Sequence, residues 1–311
     1  MIKKASFVGI VLVLVIMISG CTSSGVQKES TDRDYHKGTD GVTMEFVKNA
    51  PPDKLYTGDP FEMIIELKNE GAYPESETFE GKLRISGVDG NAIRGTWEDG
   101  NEIEADFVGK SQYLPDGGYT TMTYIDRDGV NIPFDADILE QTVLVHLCYK
   151  YKTIATAEVC LDPDPYAVVQ EDKVCEFGDT TLSGGQGGPV SVTKVEQEIG
   201  KDKTYFRIYI KNVGDGSVIK RSEYNSCPFD LELSDIDKVF VTVDLPHDGS
   251  PKCTPSGTSS DPVRLVDGQG SLLCSFDNPT TDSAFVSPLK ITLDYAYSTS
   301  ISKDIEIVNI E

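Results

Sequence analysis

The sequence predicts an all-β protein, and three observations carry that expectation. Val, Ile, Thr and Tyr are abundant, Gly and Pro are scattered throughout, and beyond residue 21 no stretch shows a long 3.6-residue apolar period. Short apolar segments are separated by turn-forming pairs such as Asp59-Pro60, Asp89-Gly90, Asp128-Gly129 and Asp267-Gly268. The third observation is a repeat. Ile65-Glu66-Leu67-Lys68-Asn69-Glu70-Gly71 matches Ile208-Tyr209-Ile210-Lys211-Asn212-Val213-Gly214, and Tyr149-Lys150-Tyr151 matches Tyr295-Ala296-Tyr297, in the same order and at nearly one offset. Two copies of one β-module in tandem are the expected source of such a pattern.

Taken from the N-terminus, Lys3 and Lys4 precede an apolar run, Ala5 to Ile18, and the small pair Ser19-Gly20. That run is shorter than the ~18–20 residues a spanning helix needs, so residues 1–20 read as a signal peptide. Ile18-Ser19-Gly20-Cys21 resembles the lipobox of prokaryotic lipoproteins. The resemblance implies lipid attachment at Cys21, which becomes the new N-terminus. Residues 21–41 are polar and of mixed charge, too poor in apolar side chains to offset ordering entropy. They are expected to form a flexible tether reaching on the order of 25 Å from the membrane.

The first module is expected over residues 42–165, with strands at Val42–Val47, Phe61–Lys68, Gly81–Ser86 and Tyr119–Ile125 and a closing hairpin made of Thr142–Lys150 and Thr153–Leu161. A Gly/Asp-rich insertion runs from about Gly87 to Gly118. The second module, residues 166–311, repeats the plan with Val190–Glu196, Thr204–Lys211, Lys238–Leu245, Ser271–Phe276 and the hairpin Leu289–Tyr297, Ser302–Val308. In each, an apolar strand ends in Asn-x-Gly, residues that allow left-handed backbone and a sharp exit from the strand. Ile208–Gly216 and, less fully, Ile64–Gly71 resemble the immunoglobulin-like modules of prokaryotic surface proteins, in particular the adhesion-related CARDB type. That resemblance implies β-sandwiches exposed at a cell surface and transfers no catalytic residues. Asp162-Pro163-Asp164-Pro165 and the glycine run Gly184–Gly188 place the module boundary near residue 165.

Apart from Cys21 there are six cysteines, Cys148, Cys160, Cys175, Cys227, Cys253 and Cys274, an even number that reads as disulfides in an exported chain. No C-x-x-C occurs, which removes the usual support for zinc or redox chemistry. The boundary leaves two cysteines before it and four after. Cys148 and Cys160, on the two arms of the first closing hairpin, are expected to pair. Of the three arrangements open to the rest, Cys175–Cys227 with Cys253–Cys274 is favoured, the latter flanking the Asp267–Gly270 turn.

A search for chemistry finds little. The formal charge is −23, and −25 once residues 1–20 are removed with Lys3 and Lys4, which disfavours nucleic acid as a partner. The three histidines, His36, His146 and His247, have no partner motif, and no G-x-S-x-G or H-E-x-x-H is present. Gly184–Gly188 lacks the Lys and Ser/Thr of a phosphate loop and reads as a linker. Asp126, Asp128, Asp135, Asp137, Asp162 and Asp164 could offer calcium hard oxygen ligands, but they lie on sequences that are simply good turns. Tyr149, Tyr151, Tyr295 and Tyr297 alternate along their strands, suiting either an exposed strip or buried packing, the commoner use. No catalytic residue, metal or cofactor is expected.

The expected function is therefore non-enzymatic: a lipoprotein on the outer face of the cell membrane, anchored through its lipid, with a protein or surface polymer as partner. Adhesion, envelope architecture or protein–protein interaction would be its role. A solute-binding lipoprotein of a transporter would need helices alternating with strands around a cleft. An extracellular hydrolase would need a poised side-chain cluster, and an accessory subunit of a pilus or secretion complex is a further alternative.

Overall fold

In the computed structural model the described residues are 35–74, 78–104, 106–165, 173–246, 250–281 and 283–310. The signal peptide, Cys21, the tether up to residue 34 and His247 lie outside them. Among the described residues no α-helix occurs; sixteen strands and a 3₁₀ turn at Arg221–Glu223 form the regular structure. The first half of the chain supplies β1 (Val42–Phe46), β2 (Lys54–Tyr56), β3 (Phe61–Asn69), β4 (Gly81–Ser86), β5 (Thr96–Trp97), β6 (Tyr119–Asp126) and β7 (Ile138–Leu161). The second half supplies β8 (Thr180–Thr181), β9 (Val190–Ile199), β10 (Lys203–Asn212), β11 (Ser217–Ile219), β12 (Lys238–Asp244), β13 (Lys252–Thr254), β14 (Val263–Arg264), β15 (Gln269–Asp277) and β16 (Phe285–Val308).

β7 and β16 organise the molecule. In place of the two expected hairpins, each is one strand of 24 residues. Lys150 to Thr153 holds no Gly, Pro or Asn at which to turn, and alternation continues through it. β7 and β16 pair antiparallel along their whole length, Tyr149 opposite Tyr297 and Tyr151 opposite Tyr295. The repeat thus becomes a pseudo-two-fold centred on the Lys150–Ala296 pair. With β14, β12 and β4 they form one sheet, to which β11 and β2 add on β16.

Most odd-numbered side chains of both long strands are buried, among them Leu139, Val143 and Leu161 of β7 and Leu289, Ile291 and Ile307 of β16. Two smaller sheets supply the opposite wall: β1-β3-β6-β5 brings Met63, Ile65 and Leu67, and β13-β15-β10-β9-β8 brings Phe206, Ile208 and Leu272. All join one apolar core, and residues 34–311 form one compact unit. The expected insertion takes part, since Ala92, Ile93, Ile103 and Phe107 are buried in that core. The last tether residues are also part of the fold: Gly38 N–H donates to Gly184 O at 2.8 Å, and Gly187 N–H donates to Gly38 O at 2.9 Å.

All six cysteines are bonded, but only Cys253–Cys274 pairs as expected. The other bridges are Cys148–Cys227 and Cys160–Cys175. Cys148 and Cys160 stand on one straight strand, about 40 Å apart at about 3.3 Å per residue, far beyond the reach of a disulfide. Both bridges cross the boundary expected near residue 165, so the even division of cysteines does not follow their bonding.

Candidate functional site

The two repeated motifs meet at the centre of the molecule. Tyr149, Tyr151, Tyr295 and Tyr297 are buried as a cluster, with ring centroids 5.7 to 6.3 Å apart. Each hydroxyl is held by the facing wall. Tyr149 Oη accepts from Val42 N–H at 3.2 Å, and Tyr295 Oη, its repeat mate, accepts from Val190 N–H at 3.2 Å. Tyr151 Oη accepts from Tyr73 N–H at 3.3 Å and donates to Gly187 O at 2.8 Å. Tyr297 Oη accepts from Gly216 N–H at 2.8 Å and donates to Asn212 Oδ1 at 3.0 Å. The asparagines shape the loops that deliver those N–H groups: Asn69 Nδ2 donates to Tyr73 O at 2.9 Å, and Asn212 Nδ2 donates to Gly216 O at 2.8 Å.

Neither Gly71 nor Gly214 has a positive φ, contrary to the expected reason for Asn-x-Gly. Glycine is needed because a Cβ at Gly71 would lie 1.7 Å from Tyr151 Oη, and one at Gly214 would lie 2.6 Å from Tyr297 Oη. Burial holds all four phenols above their ordinary pKa, Tyr297 at about 12. The tyrosines are a structural centre and present no exposed strip.

The even-numbered face of the long sheet turns away from this core, and residues 220–236 cover its middle. Cys227 bonds Cys148 there, and Ile219 and Ala296 complete a small buried cluster. Lys82 Nζ donates to Asn225 Oδ1 at 2.6 Å, Arg221 pairs with Asp294, and Lys82 and Lys150 lie over the Tyr224 ring. His146 is beside them, its Nε2 2.8 Å from Ser86 Oγ and its ring edge-on to Phe229. Sequence spacing does not reveal this contact, because Ser86 arrives from β4. A Ser–His contact is half of a nucleophilic arrangement. Among the described residues no group orients the other ring nitrogen, and burial lowers the imidazole pKa.

The aspartates considered for calcium are occupied otherwise. Asp126 is buried and accepts from Arg94 N–H at 2.6 Å and Asp128 N–H at 3.0 Å, which makes it a turn residue. Asp162 accepts from Asp164 N–H at 3.0 Å and pairs with Lys173. Asp135 and Asp137 do not join either site. Among the described residues no cluster of metal-ligating side chains forms.

Recesses also open on the surface of the described residues. One, of about 230 Å³, lies on the outer face of the five-stranded sheet and is lined by Glu196, Glu198, Tyr205, Arg207 and Leu273. Glu196 accepts from Tyr209 Oη and from Lys194, whose other partner is Asp179. Arg207 and Glu198 have no ion partner among the described residues. The second, of about 400 Å³, is bounded by His36 and Lys37, by Ile154 and Thr156 of β7, and by Leu182 to Gln186.

No family model matches the chain, and no curated protein matches it. Solved structures that share some of its course include a DUF4466 family protein from Parabacteroides merdae, at 9% identity over 82% of this chain and 99% of that one, with a TM-score of 0.18. Another is a mutant of the CFA/I adhesin CfaE of enterotoxigenic E. coli, at 10% identity over 90% of this chain and 84% of that one, with a TM-score of 0.11. Likenesses this low carry no argument about function, which rests on the residues themselves.

Proposed function

We propose that the protein is a non-enzymatic lipoprotein, anchored by Cys21 to the outer face of the cell membrane, whose two fused immunoglobulin-like modules bind a protein or a surface polymer. One observation supports the anchor most directly. The three disulfides use every cysteine of the chain except Cys21, so the fold has no bond to offer it. Three disulfides also suit an oxidising, extracytoplasmic setting. An exposed recess in which Arg207 and Glu198 have no ion partner among the described residues suits recognition of another surface. Cys21→Ser should shift the protein from the membrane fraction to the soluble fraction with its melting temperature unchanged. Full retention in the membrane fraction would overturn the lipid anchor.

A further inference from the structure

The two repeats agree inside the core and diverge outside it. The inward row of β3, Met63, Ile65 and Leu67, corresponds to Phe206, Ile208 and Ile210 of β10, and all of these are buried. The outward row of β3 is Glu62, Ile64 and Glu66, whereas that of β10 is Tyr205, Arg207 and Tyr209. Burying one face of a strand asks only for alternation, so the aromatic and cationic row of β10 exceeds what the shared fold requires.

Tyr205 and Arg207 of that row line the 230 Å³ recess. The strands around it, β9, β10 and β15, and the β9–β10 turn are described throughout. Tyr205 lies between Glu198 of β9 and Ser275 of β15, and Arg207 lies between Glu196 and Leu273. A Cβ at Gly200 would lie 3.3 Å from Tyr205 Cε2, so the bare glycine of the turn lets the ring rest against it. Glu196 is fixed in place: Lys194 Nζ donates to Oε1 and Tyr209 Oη to Oε2, each at 2.8 Å. Each carboxylate oxygen keeps a lone pair for one more donor. Leu273 adds an exposed apolar edge.

An aromatic ring, an apolar side chain, two carboxylates and a guanidinium therefore converge on one recess. With both signs of charge present it selects neither a simple anion nor a simple cation. Hydroxyl groups, which donate and accept, satisfy both kinds of partner. β10 is paired on both sides, so its backbone has nothing to offer an extended peptide, and contact must come through side chains. The face of the Tyr205 ring attracts C–H bonds polarised by neighbouring oxygens. At 230 Å³ the recess is smaller than the roughly 300–1,000 Å³ of drug-sized sites, which suits one small ring at a time. We propose that it is a glycan subsite: one neutral sugar ring of a surface polysaccharide stacks on Tyr205, donates hydroxyls to Glu196 and Glu198, and accepts from Arg207. The proposal rests on the reading of the protein as a binder of surfaces, names the polymer class, and is independent of whether Cys21 carries a lipid.

The test applies the full-length protein in detergent to an array of neutral, N-acetylated and uronic-acid oligosaccharides, with random heptapeptides as a second panel. Neutral oligosaccharides should retain the protein, and Tyr205→Ala and Arg207→Ala should each weaken retention at least about tenfold. Tyr205→Phe keeps the ring, and Lys211→Ala lies on the same face outside the recess; both should stay within about twofold of wild type. Arg207 is exposed, so Arg207→Ala should melt with the wild type and carries the test even if Tyr205→Ala does not fold. Retention by no sugar, retention by uronic acids alone, or retention indifferent to Arg207→Ala would overturn the subsite. Retention by peptides that Arg207→Ala abolishes would also overturn it, while leaving the broader reading of a binding module intact. None of these results would alter Cys21→Ser fractionation, which tests the anchor alone.

Discussion

At Gly71 the molecule accepts no side chain, because Tyr151 Oη and two backbone oxygens occupy the space a Cβ would take. Gly71→Ala should cost about 1–3 kcal/mol or more by overpacking. Gly90→Ala, with nothing within 4 Å of its Cβ, should be neutral within about 0.5 kcal/mol. Tyr151→Phe removes the acceptor of Tyr73 N–H and leaves Gly187 O with Ala72 N–H as its donor, a loss of about 1–3 kcal/mol. In the double variant of Gly71 and Tyr151 the two losses should be less than additive, since removal of the hydroxyl opens room for the methyl group. Urea unfolding of the wild type, both single variants and the double variant measures this, and strict additivity would separate Gly71 from Tyr151. The tyrosines also set an alkaline limit. An unfolded tyrosine ionises near 10, whereas Tyr297 waits until about 12 and the other three are also raised by burial. Above about pH 10 the unfolded chain therefore releases protons that the fold retains. Stability is full below that pH and falls as the pH rises toward about 12. Tyrosinate absorbance should rise for these four residues only as tertiary structure is lost; their ionisation in an intact fold would contradict the buried cluster.

Among the elements, the segment 220–236 depends most on a covalent bond. It has only a three-residue 3₁₀ turn of its own and is fastened over β4, β7 and β16 by Cys148–Cys227, Lys82–Asn225 and Arg221–Asp294. Replacing Cys148 and Cys227 by Ser should lower stability by about 2–4 kcal/mol. It should also open the chain to proteases between Ser222 and Leu233, where native protein resists. Peptide mapping without reductant should recover Cys148 linked to Cys227; recovery of Cys148 linked to Cys160 would remove the straight β7 altogether. These links are hidden in the sequence for a physical reason. Alternation reveals a strand and its buried face, so β3, β4 and β10 are legible almost to the residue. It says nothing about which strand lies alongside. A hairpin over Thr142–Leu161 would need a turn between Lys150 and Thr153, and no residue there favours one. The expected Cys148–Cys160 bridge depends on that turn and fails with it.

The whole molecule shows how far the repeat can be read. Matching Asn-x-Gly and Tyr-x-Tyr motifs reveal the duplication, and the same residues join the halves at their shared centre. Their meeting depends on long-range pairing of β7 with β16, which no local pattern encodes. The recess on the five-stranded sheet is equally illegible, since Arg207 and Glu198 come from different strands. This architecture makes a strong demand on unfolding. Each half lends a 24-residue strand to the common sheet, and the core runs through both without a break. Neither half can release its strand without exposing the other's buried odd-numbered face, so one cooperative transition is expected although the chain is long enough for two domains. Trp97, the single tryptophan, reports the first half from β5, and exchange of the β10 amides reports the second. In urea the two probes should give one midpoint, with an m-value that scales with the surface of the whole unit. A chain divided after residue 165 should yield pieces that do not fold alone, each left with a long unpaired strand edge and a tendency to aggregate. Separate midpoints, or folded separate halves, would mean that the β7–β16 pairing joins two finished domains instead of completing one.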